Sequence, residues 1–404
     1  MIFTGLGFCS STRSLFVVPV SEALGVERSL YSFNDSFRYI ATALVNIFFG
    51  SLISKFGAKK LICAGFISLT AAALLYSVAT NLFIVYLGGF FLGIGFSWTG
   101  TTMVGYVVSK RCKENKGTIM GAVLAANGLG GALAVQIVSP IIEGAGYRNA
   151  YLTIAIIVFS VGMLIAFFFK DTQKEENEPK VTHKKNSRGK SWDGRETKMA
   201  IKMPYFYLAC ACIFTCGLVL QGITGIAAAH MRDVELSSTY ISLVLSIHSI
   251  ALAVFKFLSG FLYDRCGLRL TITVCAASGV TVMILLALVT NSPTGMVFAM
   301  LYGIFSALAL PLETIMLPIY AADLFGEKSF NQILGIFVSV NTVGYALGGP
   351  LTNLCFDLVG SYKFALFVAA GLMLVVIAVL QLVINSGNKY YRIEMKQSEA
   401  EITT

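Results

Sequence analysis

Arg13, Asp35, Arg38, His248, Lys256 and Glu313 each stand inside a stretch of sequence that is otherwise apolar. A charge facing hydrocarbon is costly, so such residues belong at a wet interior or in mutual pairs. The chemistry open to them is electrostatic. Arg13 and Lys256 are cations that together could hold an anion, while Glu313 and His248 can take up and release a proton. Covalent chemistry lacks its parts, because no set of nucleophile, base and metal ligands converges anywhere in the sequence. Cys210, Cys212 and Cys216 have ligand-like spacing but lie in an apolar segment without a nearby His or carboxylate. They read as small hydrophobes, and no metal or other cofactor is expected.

Depth sharpens the argument. At 1.5 Å per helical residue, Arg13 lies ~14 Å from the flank marked by Glu22, Lys256 ~12 Å from Asp264 and Glu313 ~15 Å from Asp323. A hydrocarbon core is about 30 Å thick, so all three approach its midplane. Plainer readings exist for each. Lys256 could snorkel, although its stem of ~6 Å falls short of the distance required. Arg13 could bond the carbonyls of a broken helix, Glu313 follows Pro311, His248 could be a packing residue, and Asp35 and Arg38, three residues apart, could satisfy each other.

The elements that must position these residues are membrane helices. Hydrophobic residues make up 56% of the chain and charged ones 13%, with a mean hydropathy of +0.77, which excludes an ordinary soluble globule. A bilayer admits helices because all their backbone polar groups are satisfied within the segment, and each crossing takes about 20 residues. Twelve runs meet that requirement, at roughly 1–20, 32–54, 61–80, 82–108, 117–141, 149–169, 204–229, 238–262, 269–290, 294–320, 330–355 and 364–386. The expected fold is all-α. Runs 3, 6, 9 and 12 carry no charge inside their apolar stretches, Arg269 standing at the edge of run 9, whereas runs 1, 2, 8 and 10 hold the buried ones and should border the interior.

Basic residues set the orientation. Lys55, Lys59, Lys60, Lys110, Arg111, Lys113, Lys116, the cluster from Lys170 to Lys202, Arg265, Arg269, Lys328, Lys389, Arg392 and Lys396 fall on one side, against Arg28, Arg148, Arg232 and Lys363 on the other. This puts both termini and the central connection in the cytoplasm of a cell-membrane protein. It also accounts for the net charge of +9 without nucleic acid, and no obligate protein partner is evident. The first run opens at Met1 with no cleavable signal, and the missing basic leader points to a start further upstream.

Residues 170–203 are charged and nearly free of aliphatic side chains, and read as a solvated, disordered linker. They divide the chain into an amino-terminal six-helix bundle, 1–169, and a carboxyl-terminal one, 204–386, followed by a cytoplasmic tail, 387–404. The bundles repeat one plan. GTIMGAVLAANGLGGAL from Gly117 aligns with NQILGIFVSVNTVGYAL from Asn331 at an offset of 214, pairing Asn127 with Asn341, and YRNAYL from Tyr147 echoes YKFAL from Tyr362. GSLISKFGAKK from Gly50 matches GFLYDRCGLR from Gly260 at an offset of 210, with the second glycine of each suited to a sharp turn. The glycines of YLGGFFLGIG and NGLGG read as packing surfaces that let runs 4 and 5 approach closely.

Twelve runs in two repeats, a charged linker and the loop Gly260, Asp264, Arg265, Gly267, Arg269 resemble the major facilitator superfamily over essentially the whole chain. Ser54 departs from it, standing where the first copy of that loop usually has an acid. The resemblance implies two bundles rocking about a central site, that loop as a gating element, and solute transport without ATP, consistent with the absence of a phosphate-binding G-x-x-x-x-G-K-[ST] motif. Within the superfamily, TRSLFVVPVSEAL from Thr12 is similar to the first helix of monocarboxylate transporters. Lys256 occupies the position of the run 8 cation in the monocarboxylate and oxalate/formate branches. Leu252 stands where animal monocarboxylate carriers place an aspartate, and Asn341 where oxalate exchangers have a lysine. The solute implied is a small organic anion, a monocarboxylate first, bound by Arg13 and Lys256 with Asn127 and Asn341, and moved by proton coupling or by exchange. A drug exporter is the main alternative, although run 4 lacks the arginine common in those proteins. A receptor is a more distant one, because the tail is short.

Overall fold

The computed structural model describes residues 2–100, 103, 106–107, 116–169, 197–310, 312, 316–325 and 330–403. Every regular element among them is a helix. In chain order these are α1 (Ile2–Ser10), α2 (Val17–Leu24), α3 (Arg28–Ile47), α4 (Phe49–Phe56), α5 (Ala58–Ser77), α6 (Leu82–Thr99), α7 (Lys116–Phe168), α8 (Thr197–Ala200), α9 (Pro204–Asp233), α10 (Ser238–Ala287), α11 (Pro293–Ala309), α12 (Met316–Phe325), α13 (Phe330–Val359) and α14 (Tyr362–Thr403). The central linker, through residue 196, lies outside the described residues.

Eight described stretches are long and apolar enough to cross a membrane, by length and composition. One of them, Ala126–Phe168, is part of α7, which bends at Gly146 and joins run 5 to run 6. Run 10 is represented by the shorter α11 and by α12, and runs 1 and 2 are each interrupted, at residues 11–16 and at Phe48. Large apolar side chains such as Ile67, Phe83, Ile156 and Phe167 are exposed on the outside, as a lipid-facing surface requires. The carboxyl-terminal helix continues past residue 386 to Thr403.

The repeat is written in the backbone. Left-handed or otherwise positive φ angles occur at Gly57 and Gly267, 79° and 76°, at the paired loops expected from the sequence. They occur again at Gly146 and Gly360, 82° and 74°, just before the Tyr147 and Tyr362 echoes. Gly25 and Glu235, at 63° and 61°, form a third pair that the sequence hid, because glutamate replaces glycine in the second copy. In a continuous helix each of these positions would be right-handed, so each one ends a run.

Close packing follows the same plan. A Cβ on Gly7 would meet the backbone of Asn127 at 2.8 Å, and one on Gly217 the backbone of Asn341 at 2.8 Å. Run 1 therefore lies against run 5 as run 7 lies against run 11. The glycines of run 4 turn elsewhere than toward run 5. Gly88 and Gly95 face Tyr76 and Leu69 of run 3, while Gly89 and Gly93 face Asn34 and Arg38 of run 2. The two halves meet along α7 against α10 and α3 against α13. At the first of these seams Gly128 abuts Ser249 and Ala253, and Gln136 donates to Ser246 at 2.9 Å.

Candidate functional site

A cavity of about 230 Å³ lies between the halves, with Arg13, Asp35, Tyr31 and Asn127 on one wall and Gln221, His248 and Asn353 on the other. Arg13 reaches it because run 1 is broken. A turn at residues 11–12 leads into a 3-10 segment, Arg13–Phe16, before α2 resumes. Irregular backbone at membrane depth is tolerated where it lines a cavity or is covered by protein. The Arg13 Nε donates to the Ser10 carbonyl at 3.3 Å, so the structural role open to it from sequence is present alongside its place in the cavity.

Arg13 is not a lone cation. Its Nη1 pairs with Asp35 Oδ1, which also accepts from Arg38 Nε at 3.0 Å. The local pairing of Asp35 with Arg38 expected from their spacing is present, and Arg13 joins it from another run. Two guanidinium groups and one carboxylate leave this triad with a formal charge of +1. Arg38 is buried behind the cavity wall with its guanidinium 4.0 Å from the centre of the Tyr39 ring, a favourable cation–π geometry.

Beneath the triad is a cluster of buried tyrosines that sequence reasoning missed. Tyr31 and Tyr151 hydroxyls lie 3.2 Å apart, Tyr76 donates to Asn34 Oδ1 at 2.8 Å, and Phe16 stacks on Tyr151 with ring centres 3.8 Å apart. Tyr76 and Tyr151 belong to runs 3 and 6, which carry no charge, so a search for charges passes over them. A single hydroxyl-bearing ring on a buried apolar face was the available signal, since such hydroxyls are seldom left without a partner.

The other expected residues divide. His248 lines the cavity and its Nδ1 lies 2.7 Å from Ser306 Oγ. Asn127 lines it too, with its Oδ1 buried and without a hydrogen-bond partner among the described residues. Asn341 does not: it faces a second, smaller cavity inside the carboxyl-terminal bundle with Cys212, Cys216 and Tyr320, where its Oδ1 and the Tyr320 hydroxyl are likewise buried and without a partner among the described residues. The two asparagines hold equivalent backbone positions, but their side chains serve different spaces. Lys256, Gly260 and Asp264 lie on α10, and their side chains are outside those described; Glu313 is outside the described residues altogether. In the loop motif, Gly267 makes the turn, Arg265 lies over the Phe261 ring at 4.5 Å, and Arg269 donates to Gln381 and Asn385, each at 2.6 Å.

At the end of the molecule away from the linker, the halves are joined by a polar latch. Arg28 grips Asp233 with two hydrogen bonds of 2.6 and 2.8 Å and packs 4.0 Å over the Phe356 ring. The first amides of α3, those of Arg28 and Ser29, donate to the Asp357 carboxylate at 3.3 and 2.9 Å, so a residue of one half caps a helix of the other. Asn353 bridges Ser32 and the Tyr362 hydroxyl.

This pseudo-symmetric pair of bundles around a central cavity matches a known family. The model described as Major Facilitator Superfamily covers residues 1–227 and 209–392. The chain belongs to the Major Facilitator Superfamily. Among superfamily relatives, an uncharacterized MFS-type transporter of Bacillus subtilis (strain 168), YcxA, is 25% identical over 273 residues, covering 66% of this chain and 63% of its own length. The chain thus matches under two thirds of that relative. Monocarboxylate transporter 13 of Bos taurus is 25% identical over 331 residues, 80% of this chain and 73% of the relative, which meets the expected likeness to the monocarboxylate branch. The crystal structure of nucleoside transporter NupG superposes with a TM-score of 0.73 at 14% identity, covering 95% of this chain and 96% of that one, and shares the superfamily fold.

Proposed function

We propose that the chain is a secondary transporter that moves a small organic anion, a monocarboxylate first, by alternating access through the cavity between its halves. Arg13 carries this reading. It is a guanidinium held at a helix break on the wall of a cavity common to both halves, in a triad of net charge +1. Broken helices at the midplane are where transporters of this kind bind ions and charged solutes. The likeness to a protein named as a monocarboxylate transporter supports the same class. Arg13 and Lys256 bind the carboxylate from opposite halves, Asn127 on the cavity wall contributes a hydrogen bond while Asn341, turned into its own bundle, does not, and Glu313 or His248 carries a proton where transport is coupled. The loop of Gly260, Asp264, Arg265, Gly267 and Arg269 gates the cytoplasmic side. The protein sits in the cell membrane with both termini in the cytoplasm, a reading supported by the distribution of Lys and Arg.

Uptake of labelled C1 to C4 carboxylates into proteoliposomes, with and without a pH gradient, tests the proposal. Saturable uptake of one or more monocarboxylates, competed by the unlabelled acid, is expected. Uptake confined to cationic or neutral compounds overturns it.

A further inference from the structure

We propose that Asp35 is an internal competitor for the transported anion: the solute's carboxylate displaces Asp35 from Arg13 on binding, and the return of Asp35 to Arg13 drives release. The inference rests on the anion reading above and assigns a role in it to a residue with no place there so far.

The geometry of the triad is lopsided. A single oxygen, Oδ1 of Asp35, serves both guanidinium groups, and Oδ2 has no hydrogen-bond partner among the described residues. Arg13 meets Asp35 through Nη1 alone, and its Nη2 has no partner among the described residues. The Arg13 fork is therefore half used. A free carboxylate in the cavity can present two oxygens to two parallel N–H groups, the stronger and more directional arrangement for this pair of groups. Asp35 does not make it here, since among the described residues it meets Arg13 through Oδ1 alone.

The two legs of the triad also differ in what breaking them costs. The Arg38 side chain is 9% exposed and that of Arg13 25%. A buried guanidinium that loses its counter-charge is strongly destabilising, so the Arg38 leg, formed within one helix at a spacing of three residues, persists. The Arg13 leg opens onto the cavity and joins two separate runs, so it is the one that can exchange. Each guanidinium then has a carboxylate partner at either stage. Before binding, Asp35 answers both arginines; after binding, it answers Arg38 and the solute answers Arg13. The formal charge of the triad with its solute passes from +1 to zero when a monoanion binds.

Position links the exchange to movement. Asp35 is adjacent to Ser36, whose hydroxyl donates to the Ala346 carbonyl of the opposite half, and Asp35 Oδ2 lies 3.9 Å from where a Cβ on Gly349 would stand. Changing the partner of Asp35 changes the charge facing α13 at the seam between the bundles.

The test compares wild type with Asp35→Asn in proteoliposomes, using labelled formate, acetate, lactate and succinate in equilibrium binding and in counterflow. Asp35→Asn removes the competitor, so the half-saturating monocarboxylate concentration is expected to fall about tenfold while the maximum counterflow rate also falls, because nothing displaces the solute. Tighter binding with an unchanged maximum rate would mean that Asp35 acts only through its distant charge. A lower rate with unchanged or weaker binding would make it a structural residue. Either result overturns the proposal. Should Asp35→Asn not fold because Arg38 is left unpaired, the double variant Asp35→Asn, Arg38→Gln removes that burden and is expected to show the same split; failure of both to fold makes the role structural. If wild type itself binds none of the four acids, the anion reading has failed, and this inference fails with it.

Discussion

Arg13 and Tyr76 define the site at the scale of single residues, one through charge and the other through a hydroxyl. Arg13→Gln keeps hydrogen-bonding capacity but loses the charge that compensates a carboxylate, and leaves Asp35 to Arg38 alone. Uptake of monocarboxylates is expected to fall by at least about tenfold while the variant inserts and purifies normally, to be checked by uptake alongside size-exclusion chromatography. Lys256→Ala is expected to lose transport and Lys256→Arg to retain part of it, whereas unchanged apparent affinity in the alanine variant would mark Lys256 as a snorkelling residue. Tyr76→Phe deprives the buried Asn34 Oδ1 of its donor, at a cost of about 1–3 kcal/mol, readable as a lower unfolding temperature in detergent. Charges in apolar runs were legible because hydrocarbon makes each of them an exception, and both Arg13 and His248 border the cavity. The third arm of the triad and the tyrosine cluster were not legible. They depend on runs 1, 2, 3 and 6 meeting side by side, and one sequence without paired positions does not say which runs are neighbours.

Helix contacts decide how rigidly those residues are held. Gly93 lies so close to run 2 that a Cβ there would collide with the Arg38 carbonyl and stand 2.8 Å from Ala41. Backbone cannot yield as a flexible side-chain tip can, so Gly93→Ala should push α3 and α6 apart at the level of the triad. A loss of about 1–3 kcal/mol is expected, seen as a lower unfolding temperature, together with weaker carboxylate binding because Arg38 carries Asp35 with it. Gly225, where an added Cβ meets nothing within 4 Å among the described residues, is the control: Gly225→Ala should not lower stability, since alanine also favours the helix. Element positions were largely readable from hydropathy, and the breaks at Gly57 and Gly267 from their matched loops. The interruption at residues 11–16 was not, because hydropathy is blind to φ and ψ. Nor was the partner of the run 4 glycines, since small residues permit an approach without naming what approaches.

For the whole molecule, the latch at the end away from the linker stabilises one arrangement of the halves. Its contacts between the halves join residues 28–32 to residue 233 or to residues 353–362, and these must part if the bundles separate there. Asp357→Ala removes the cap on α3 without disturbing either bundle's interior, and a lost cap costs about 1 kcal/mol, or roughly a fivefold shift in population. Labels placed on the two halves at that end should report a longer mean separation, by electron–electron distance measurement, in Asp357→Ala than in wild type. The same change should speed labelling of a cysteine introduced in the cavity by an impermeant reagent added from that side. The two-fold repeat could be read in advance because Gly57 and Gly267, like Asn127 and Asn341, stand at matched places in both copies. The Arg28 latch could not, as its partners lie more than 200 residues away and nothing in the repeat points from Arg28 to them.

The pairing of Arg13 with Asp35 also bears on how the chain is made. A guanidinium near the middle of a nascent membrane helix costs about 2.5–3.5 kcal/mol on insertion scales, and run 1 contains no acid to offset it at that depth. Its counter-charge arrives only with the following helix. The first two runs should therefore commit to the bilayer as a hairpin, with the first waiting at the translocation machinery until the second emerges. Nascent chains stopped after residue 27 are expected to remain extractable by alkali, and those stopped after residue 57 to resist it.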